Sequence, residues 1–399
     1  MSQWKLYPPL KKREKFRFPW LAILLLYIVV IAVAVMIRAS SWPDNKHVEA
    51  MFFLQSVLAP FLMVTTGLCY TGMFHSVEDY YYDVKRQCVE WDSYYLKQFA
   101  HKHLVIAGCS TVSPVNNIAL KLLKLEGEFP LAPKTPCRIE VAENYEVSKV
   151  QCIFNQLIAP LADKINDYPE VEVFYWLREG GDASKEELRS VLDEYSIRFK
   201  NGITQLSECP DYGVLSVMIE ESDNQWKYSR LIIIADLCNN ETVKSMENAT
   251  AMFICKEYPV NENPKPVYLF QPLTGDADLA HSVPVYLAGE QTTIPKTLWH
   301  TGLAQKEKYP LFNALNECKA AAERIDLELA LGEYTAGYRW LALAMASDAV
   351  KYGLGAQLIA ASEEGKPALT VLSAAQPSPL QAPDGDYVAM PLQWSFSAF

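Results

Sequence analysis

Two long apolar runs open the chain, and the pattern changes sharply after them. Residues 19–37 are almost wholly apolar, and about 20 such residues in a helix rise far enough to cross a ~30 Å hydrocarbon core. A second run, residues 51–74, follows a short linker and is interrupted by Gln55, Pro60, Thr65, Thr66 and Thr71. A span tolerates such residues where a neighbouring helix re-satisfies them. Residues 18–74 are therefore predicted to form a transmembrane helical hairpin. In residues 75–100, Tyr80, Tyr81, Tyr82, Trp91, Tyr94 and Tyr95 stand among charged residues. This segment is predicted to be a connecting helix whose aromatics anchor at headgroup level.

From residue 101 the grammar is that of short apolar strands between amphipathic helices. Strands are predicted at residues 104–108, 171–177, 213–219, 231–237, 249–255, 267–270, 283–287, 357–361 and 368–372. Helices are predicted at residues 183–199, 309–323 and 334–352. The alternation predicts an α/β domain over residues 101–376, with a largely parallel sheet covered on both faces. The Pro-rich stretch 377–399 is read as a tail.

Charge adds an orientation. Lys5, Lys11, Lys12, Arg13, Lys15 and Arg17 precede the first run, whereas residues 39–50 hold only Lys46. Residues 1–17 are thus expected on the cytoplasmic side, and with two spans everything after residue 74 returns there. The first run is longer than the usual ~7 to 15 residues of a signal-peptide core, and no small-residue cleavage site follows closely. The net charge of -11 argues against nucleic acid as a partner, since that needs a concentrated basic footprint. Nine cysteines are dispersed without a CxxC pair, as expected of reduced thiols in a cytosolic compartment. The triplets at Asn240 and Asn248 match the glycosylation motif by chance on that reading.

Three stretches carry a resemblance. Leu104 to Leu123 holds an apolar strand, Gly108, Ser110 and then Val112-Ser113-Pro114. Leu231 to Leu237 is a strand ending in Asp236, followed by a small-residue strand after Glu247. Leu327 to Val350 feeds a glycine turn, Gly332-Glu333, into a small-residue helix. In this order they resemble the thiolase-like β-ketoacyl synthases over residues 104–376. The resemblance implies duplicated α/β layers and a homodimer formed through a central edge strand. It also implies a cysteine nucleophile at a helix N-terminus, where the dipole lowers its pKa, and two histidines or a histidine and an asparagine.

Those catalytic residues are not found. Before the strand at 231 stands only Cys209, in Ser-Glu-Cys-Pro-Asp-Tyr-Gly, with neither small neighbours nor a predicted helix after it. The first histidine position falls at Glu290 to Thr292, with His300 the nearest substitute, and the second at Glu333, close to Thr335. Glu333 cannot donate to an oxyanion unless its pKa is strongly raised. Glu290, Thr292, Glu333 and Thr335 remain as candidates for lining a ligand cleft. Cys109, read as lying in a strand-to-helix turn after Gly108, joins Cys209 and His300 as the only set from which an atypical condensing site could be built. His101 and His103 flank Lys102 without further ligands, so no metal is expected. Neither a Walker-type loop nor GxGxxG is present, so no cofactor is expected.

The resulting expectation is a membrane-anchored, non-catalytic thiolase-like binding or adaptor protein that faces the cytoplasm from a bacterial inner membrane. Its partners would be membrane lipid and a protein. Divergent thiolase-like genes occur in effector-delivery loci, so that protein would be an effector or secretion component of a type VI system. The alternatives are an acyl-thioester condensing enzyme with an atypical site and a structural membrane protein.

Overall fold

The computed structural model describes residues 19–40, 49–126, 137–141, 147–178, 182–222, 229–237, 244–255, 266–273, 283–284, 286–287, 294–321, 323–363, 365–375 and 380–383. They fall into two compact units that divide at Ser93.

In the first unit, α1 (Trp20–Ala39) has no buried residue. A second helix starts as α2 (Glu49–Phe53), widens to a π-turn at Leu54–Leu58 and continues as α3 (Ala59–His101). The π-turn has a local cause: the ring of Pro60 displaces the carbonyl four residues earlier, that of Ser56. Both helices are long and apolar enough to cross a membrane. They pack as a hairpin, with the Tyr27 and Phe61 rings 5.2 Å apart and a 2.8 Å hydrogen bond between the Tyr27 and Thr65 hydroxyls. Thr65, Thr66 and Thr71 also donate to the carbonyls of Phe61, Leu62 and Gly67, so their own helix satisfies them.

The second unit holds one sheet of ten strands. The strands are β1 (His103–Val112), β2 (Val171–Leu177), β3 (Phe199–Gln205), β4 (Ser229–Asp236), β5 (Asn248–Cys255), β6 (Val267–Phe270), β7 (Thr297–Thr301), β8 (Glu323–Asp326), β9 (Gln357–Glu363) and β10 (Lys366–Ser373). Their spatial order is β3-β2-β4-β5-β1-β6-β10-β9-β7-β8. Read outward from the middle, β1-β5-β4-β2-β3 and β6-β10-β9-β7-β8 are the same arrangement, and the pairings repeat. β5 and β10 are antiparallel to both neighbours, while β4-β2-β3 and β9-β7-β8 are parallel. The expected duplication is therefore visible as topology, with the halves joined by the antiparallel β1–β6 pair. The sheet is mixed rather than largely parallel, since five of its nine pairings are antiparallel.

Three apolar clusters define layers. Helices α5 (Lys149–Ile158) and α7 (Asp182–Glu194) cover the outer face of the first half through Phe154, Leu157, Leu188 and Val191. Helix α9 (Gln305–Glu317) covers the outer face of the second half through Leu311 and Leu315. Between the inner faces lie α8 (Tyr212–Ser222) and α11 (Tyr338–Lys351). α11 packs on β1 and β5 of one half and on β6, β7, β9 and β10 of the other. A helix enclosed on all sides is apolar all round, and Trp340 to Ser347 is buried without interruption.

Several expected elements differ. Residues 213–219 belong to helix α8, because Tyr212, Leu215, Met218 and Ile219 recur at helical spacing and all enter the central core. Val283, Pro284, Tyr286 and Leu287 are helical rather than a strand. Cys109 lies inside β1, not in a turn, because the strand runs on to Val112 past a register shift at Gly108. Gly108 has a packing reason, since a Cβ there would meet Leu161 at 2.7 Å. Strands β3, β7 and β8 were not expected. β3 is an edge strand in which Asn201 and Gly202 adopt positive φ; with Lys200 this makes a charged, kinked edge of the kind that discourages strand pairing. Asn248 is fully buried in β5, so the folded chain offers no glycan acceptor there.

The turn before α11 is fixed by Gly332, at φ 97°. The Glu333 amide donates to the Lys244 carbonyl at 2.8 Å and the Met246 amide to the Leu331 carbonyl at 3.1 Å. A Cβ on Gly332 would stand 2.3 Å from the Lys244 oxygen. Gly332→Ala combines a forbidden backbone conformation with that clash and is expected to cost about 3 kcal/mol, read as a lowered urea midpoint for the chain in detergent micelles.

Candidate functional site

The ends of β4 and β9 meet the starts of the two central helices, α11 and α8. The polar cluster there draws on both halves. Asp236, the last residue of β4, is 2 % exposed. Its carboxylate meets Arg178 Nε at 2.8 Å and accepts from Arg178 Nη2 at 3.3 Å and from the Gly337 amide at 3.0 Å. Gly337 leads into α11, and a Cβ there would lie 2.6 Å from Asp236 Cβ. The two central helices are tied reciprocally at this end. Trp340 Nε1 of α11 donates to the Pro210 carbonyl at 2.8 Å, and the Tyr212 hydroxyl of α8 donates to the Arg339 carbonyl at 3.1 Å.

Cys209 stands just before α8, so a helix does follow it, contrary to the sequence expectation. The missed signal was the helical spacing of Tyr212, Leu215, Met218 and Ile219, with Asp211 Oδ1 accepting from the Val214 amide at 3.3 Å, an N-cap arrangement. The thiol is not activated. Burial pushes its pKa up to about 12, Asp236 and Asp211 push the same way, and Arg339 and Arg178 pull against them. At the first turn of α8 the Tyr212 amide donates to Glu363 Oε1, from the end of β9. A carboxylate of the second half thus occupies the position at which a helix N-terminus would favour an anion.

Cys109 is held at the other end of α11. Its thiol donates to Asp348 Oδ1 at 3.3 Å and receives Lys351 Nζ at 3.1 Å; burial raises its pKa to about 11 despite the lysine. Asp348 also borders a cavity of ≈ 1080 Å³ beyond β1, lined by Thr111, Ser113, Asn117, Arg138 and Glu140 among others. Cys209, Glu333 and Thr335 do not line it.

His300 joins neither cysteine. On β7, Trp299 enters the central core while Leu298 enters the outer one. His300 shares the outer face with Leu298, its ring 5.5 Å from Phe312 of α9. Cys109 and Cys209 both pack against the central core. The sheet itself therefore separates the imidazole from both thiols. His300 Nδ1 instead lies 3.8 Å from Asp326, which receives Lys308 Nζ at 2.6 Å. Beside it Glu328 accepts from the Thr301 hydroxyl at 2.7 Å and the Gly302 amide at 2.6 Å. His300, Asp326 and Glu328 bring their ligand atoms within 4.8 Å of one another, and the Lys308 ammonium already engages the Asp326 carboxylate.

Of the cleft candidates, Glu333 is exposed and Thr335 is buried; Glu290 and Thr292 lie outside the described residues. None of the eight cysteines among the described residues is in a disulfide.

Solved structures similar to this chain include ketosynthases. One is a type II polyketide ketosynthase in complex with its acyl-carrier protein, 11% identical over 69% of this chain and 100% of that one, with a TM-score of 0.49. Another is the oxazolomycin ketosynthase domain of Streptomyces albus, 7% identical over 71% and 98%, TM-score 0.45. A third is the 3-oxoacyl-(acyl-carrier-protein) synthase III of Aquifex aeolicus, 12% identical over 68% and 99%, TM-score 0.38. Likeness at this level says nothing of activity. No family model matches the chain, and no curated protein matches it.

Two outcomes follow from the charges. Arg178→Ala strands the buried Asp236 carboxylate and is expected to cost about 3 kcal/mol, part of which Asp236→Asn in the same chain restores, both read by urea unfolding. Burial holds the His300 pKa at about 4 against an ordinary 6.5. Between those values the unfolded chain takes up a proton that the folded one refuses. Stability should therefore fall as the pH drops from about 6.5 toward about 4, by about 3 kcal/mol at most, and His300→Phe should flatten that part of the profile.

Proposed function

We propose that this chain is a membrane-anchored binding protein that keeps the layered architecture of the condensing enzymes it resembles without their chemistry. The observation that carries this reading is the carboxylate of Glu363 at the start of α8, beside a thiol that burial keeps protonated. An acyl-transfer site needs a thiolate and an oxyanion pocket there. The Glu363 carboxylate instead takes an amide of the turn where such a pocket would be built. The condensing-enzyme alternative needs an imidazole next to Cys109 or Cys209, and His300 lies across the sheet from both.

The rest of the proposal comes from the sequence. Six basic residues before the first apolar run, against Lys46 alone in the linker, favour a cytoplasmic N-terminus and a cytoplasmic main domain. A tethered domain of this kind suits an adaptor that holds a protein partner at the inner membrane. The partner class is an effector or secretion component of a type VI apparatus, and the exposed side chains of Leu329 and Tyr334 beside the Gly332 turn offer apolar contact area.

Incubation of the full chain with acyl-coenzyme A and acyl-carrier-protein thioesters is expected to leave its intact mass unchanged. An acyl adduct that disappears in Cys209→Ala or Cys109→Ala would restore the enzyme reading. Capture of the tagged chain from its native membranes is expected to enrich an effector or a secretion component, whereas enrichment of acyl carrier protein alone counts against the adaptor.

A further inference from the structure

Three groups that the proposed binding role leaves unused converge near the outer face of the second half. His300 and Asp326 are register partners on the parallel strands β7 and β8, and Glu328 follows in the first turn of the short helix Leu327–Leu331. Their ligand atoms lie within 4.8 Å of one another. His300 is 3% exposed, and its Nδ1 makes no hydrogen bond among the described residues. That nitrogen faces Asp326 Oδ2 from 3.8 Å. Burial keeps the imidazole neutral at ordinary pH, the form in which a histidine coordinates metal.

Both carboxylates are already aimed. Asp326 uses Oδ1 to accept from the amides of Glu328 and Leu329, at 3.1 and 3.4 Å, which leaves Oδ2 toward His300. Glu328 takes the Thr301 hydroxyl and the Gly302 amide on Oε1 alone, and no donor among the described residues holds its Oε2. Outer partners that fix each carboxylate are what a metal centre requires of its ligands. Positive charge, by contrast, is short. Lys308 Nζ meets Asp326 at 2.6 Å, and Arg324 lies over the Phe312 ring at 4.4 Å with a bond to Asn316. Glu328 has no ion-pair partner among the described residues. Burial raises its pKa and the Asp326 carboxylate raises it further, against the Thr301 and Gly302 bonds.

We propose that His300 Nδ1, Asp326 Oδ2 and Glu328 Oε2 form a binding site for a first-row divalent cation, with Zn2+ the best fit, and that Lys308 gives up Asp326 to it. An imidazole among oxygen ligands suits Zn2+ rather than Ca2+ or Mg2+, which take oxygen. Zinc bonds of about 2.0–2.2 Å set ligand atoms about 3.3–3.5 Å apart, so the 3.8 Å between His300 and Asp326 closes with a small side-chain shift. Lys308 stands in the first turn of α9 on a flexible four-carbon stem, which lets its ammonium swing outward. The bound ion ties the edge strand β8 to β7 and keeps a fourth position for water.

The test is a Zn2+ titration of the full-length chain in detergent micelles, stripped beforehand with chelator, in competition with a chromophoric indicator. One ion per chain is expected, held at least about 10-fold more weakly by His300→Phe and by Glu328→Gln. Lys308→Met, which removes the competing ammonium and touches no ligand, should bind more tightly than the parent chain. Co2+ in the same site is expected to show the visible bands of a nitrogen–oxygen ligand set without thiolate charge transfer. An adventitious ion only, bound equally by His300→Phe or carrying the thiolate band of a cysteine site, overturns the proposal. So does a chain that takes up no ion. An unchanged affinity in Lys308→Met also overturns it, and that comparison stands even where His300→Phe fails to fold.

Discussion

The centre of the larger unit depends on enclosing one helix, α11, between the two halves of the sheet. A helix in that position has no solvent-facing side, so its residues must be apolar or small on every face. Its first amides must also find acceptors inside the protein. The small-residue sequence from Leu341 to Ala346 meets the first demand. The Asp236 carboxylate, receiving the Gly337 amide, meets part of the second. A buried carboxylate needs a cation in turn, which is why Arg178 sits at the end of β2.

This arrangement bears on chemistry as well as on stability. The two central helices begin at one junction. Here it is occupied by mutual ties: Trp340 to Pro210, Tyr212 to Arg339, Tyr212 to Glu363 and Arg178 to Asp236. These ties make the junction a rigid platform at the start of both central helices.

Much of the fold could be read from residue pattern, and the failures have physical reasons. Strands β2 and β5 and the closing pair β9–β10 announced themselves because fully or alternately buried strands are continuous in apolar residues. β3 was missed because an edge strand buries little, and of its seven residues only Ile203 is buried. β7 was missed because Thr297, His300 and Thr301 are polar yet lie in the interior, where neighbours rather than composition decide. The site was less legible still. Asp236 stood out as a strand-terminal acid, but its partner Arg178 lies 58 positions earlier in the chain, and nothing local in the sequence joins them. Gly332 was recognisable as a turn, while the reason it must be glycine, the Lys244 carbonyl, belongs to a distant segment.

The seam between the halves also sets a schedule for synthesis. β5, the last strand of the first half, ends at Cys255, and α11, which covers the inner face of β1 and β5, is complete only at Lys351. At a ribosomal pace of about 5–20 residues per second, the intervening residues take roughly 5 to 20 seconds to emerge. Throughout that interval the nascent first half has α8 but not α11 over its apolar inner face. The duplicated fold thus builds in a waiting period during which the growing chain is most open to chaperones and to misassembly.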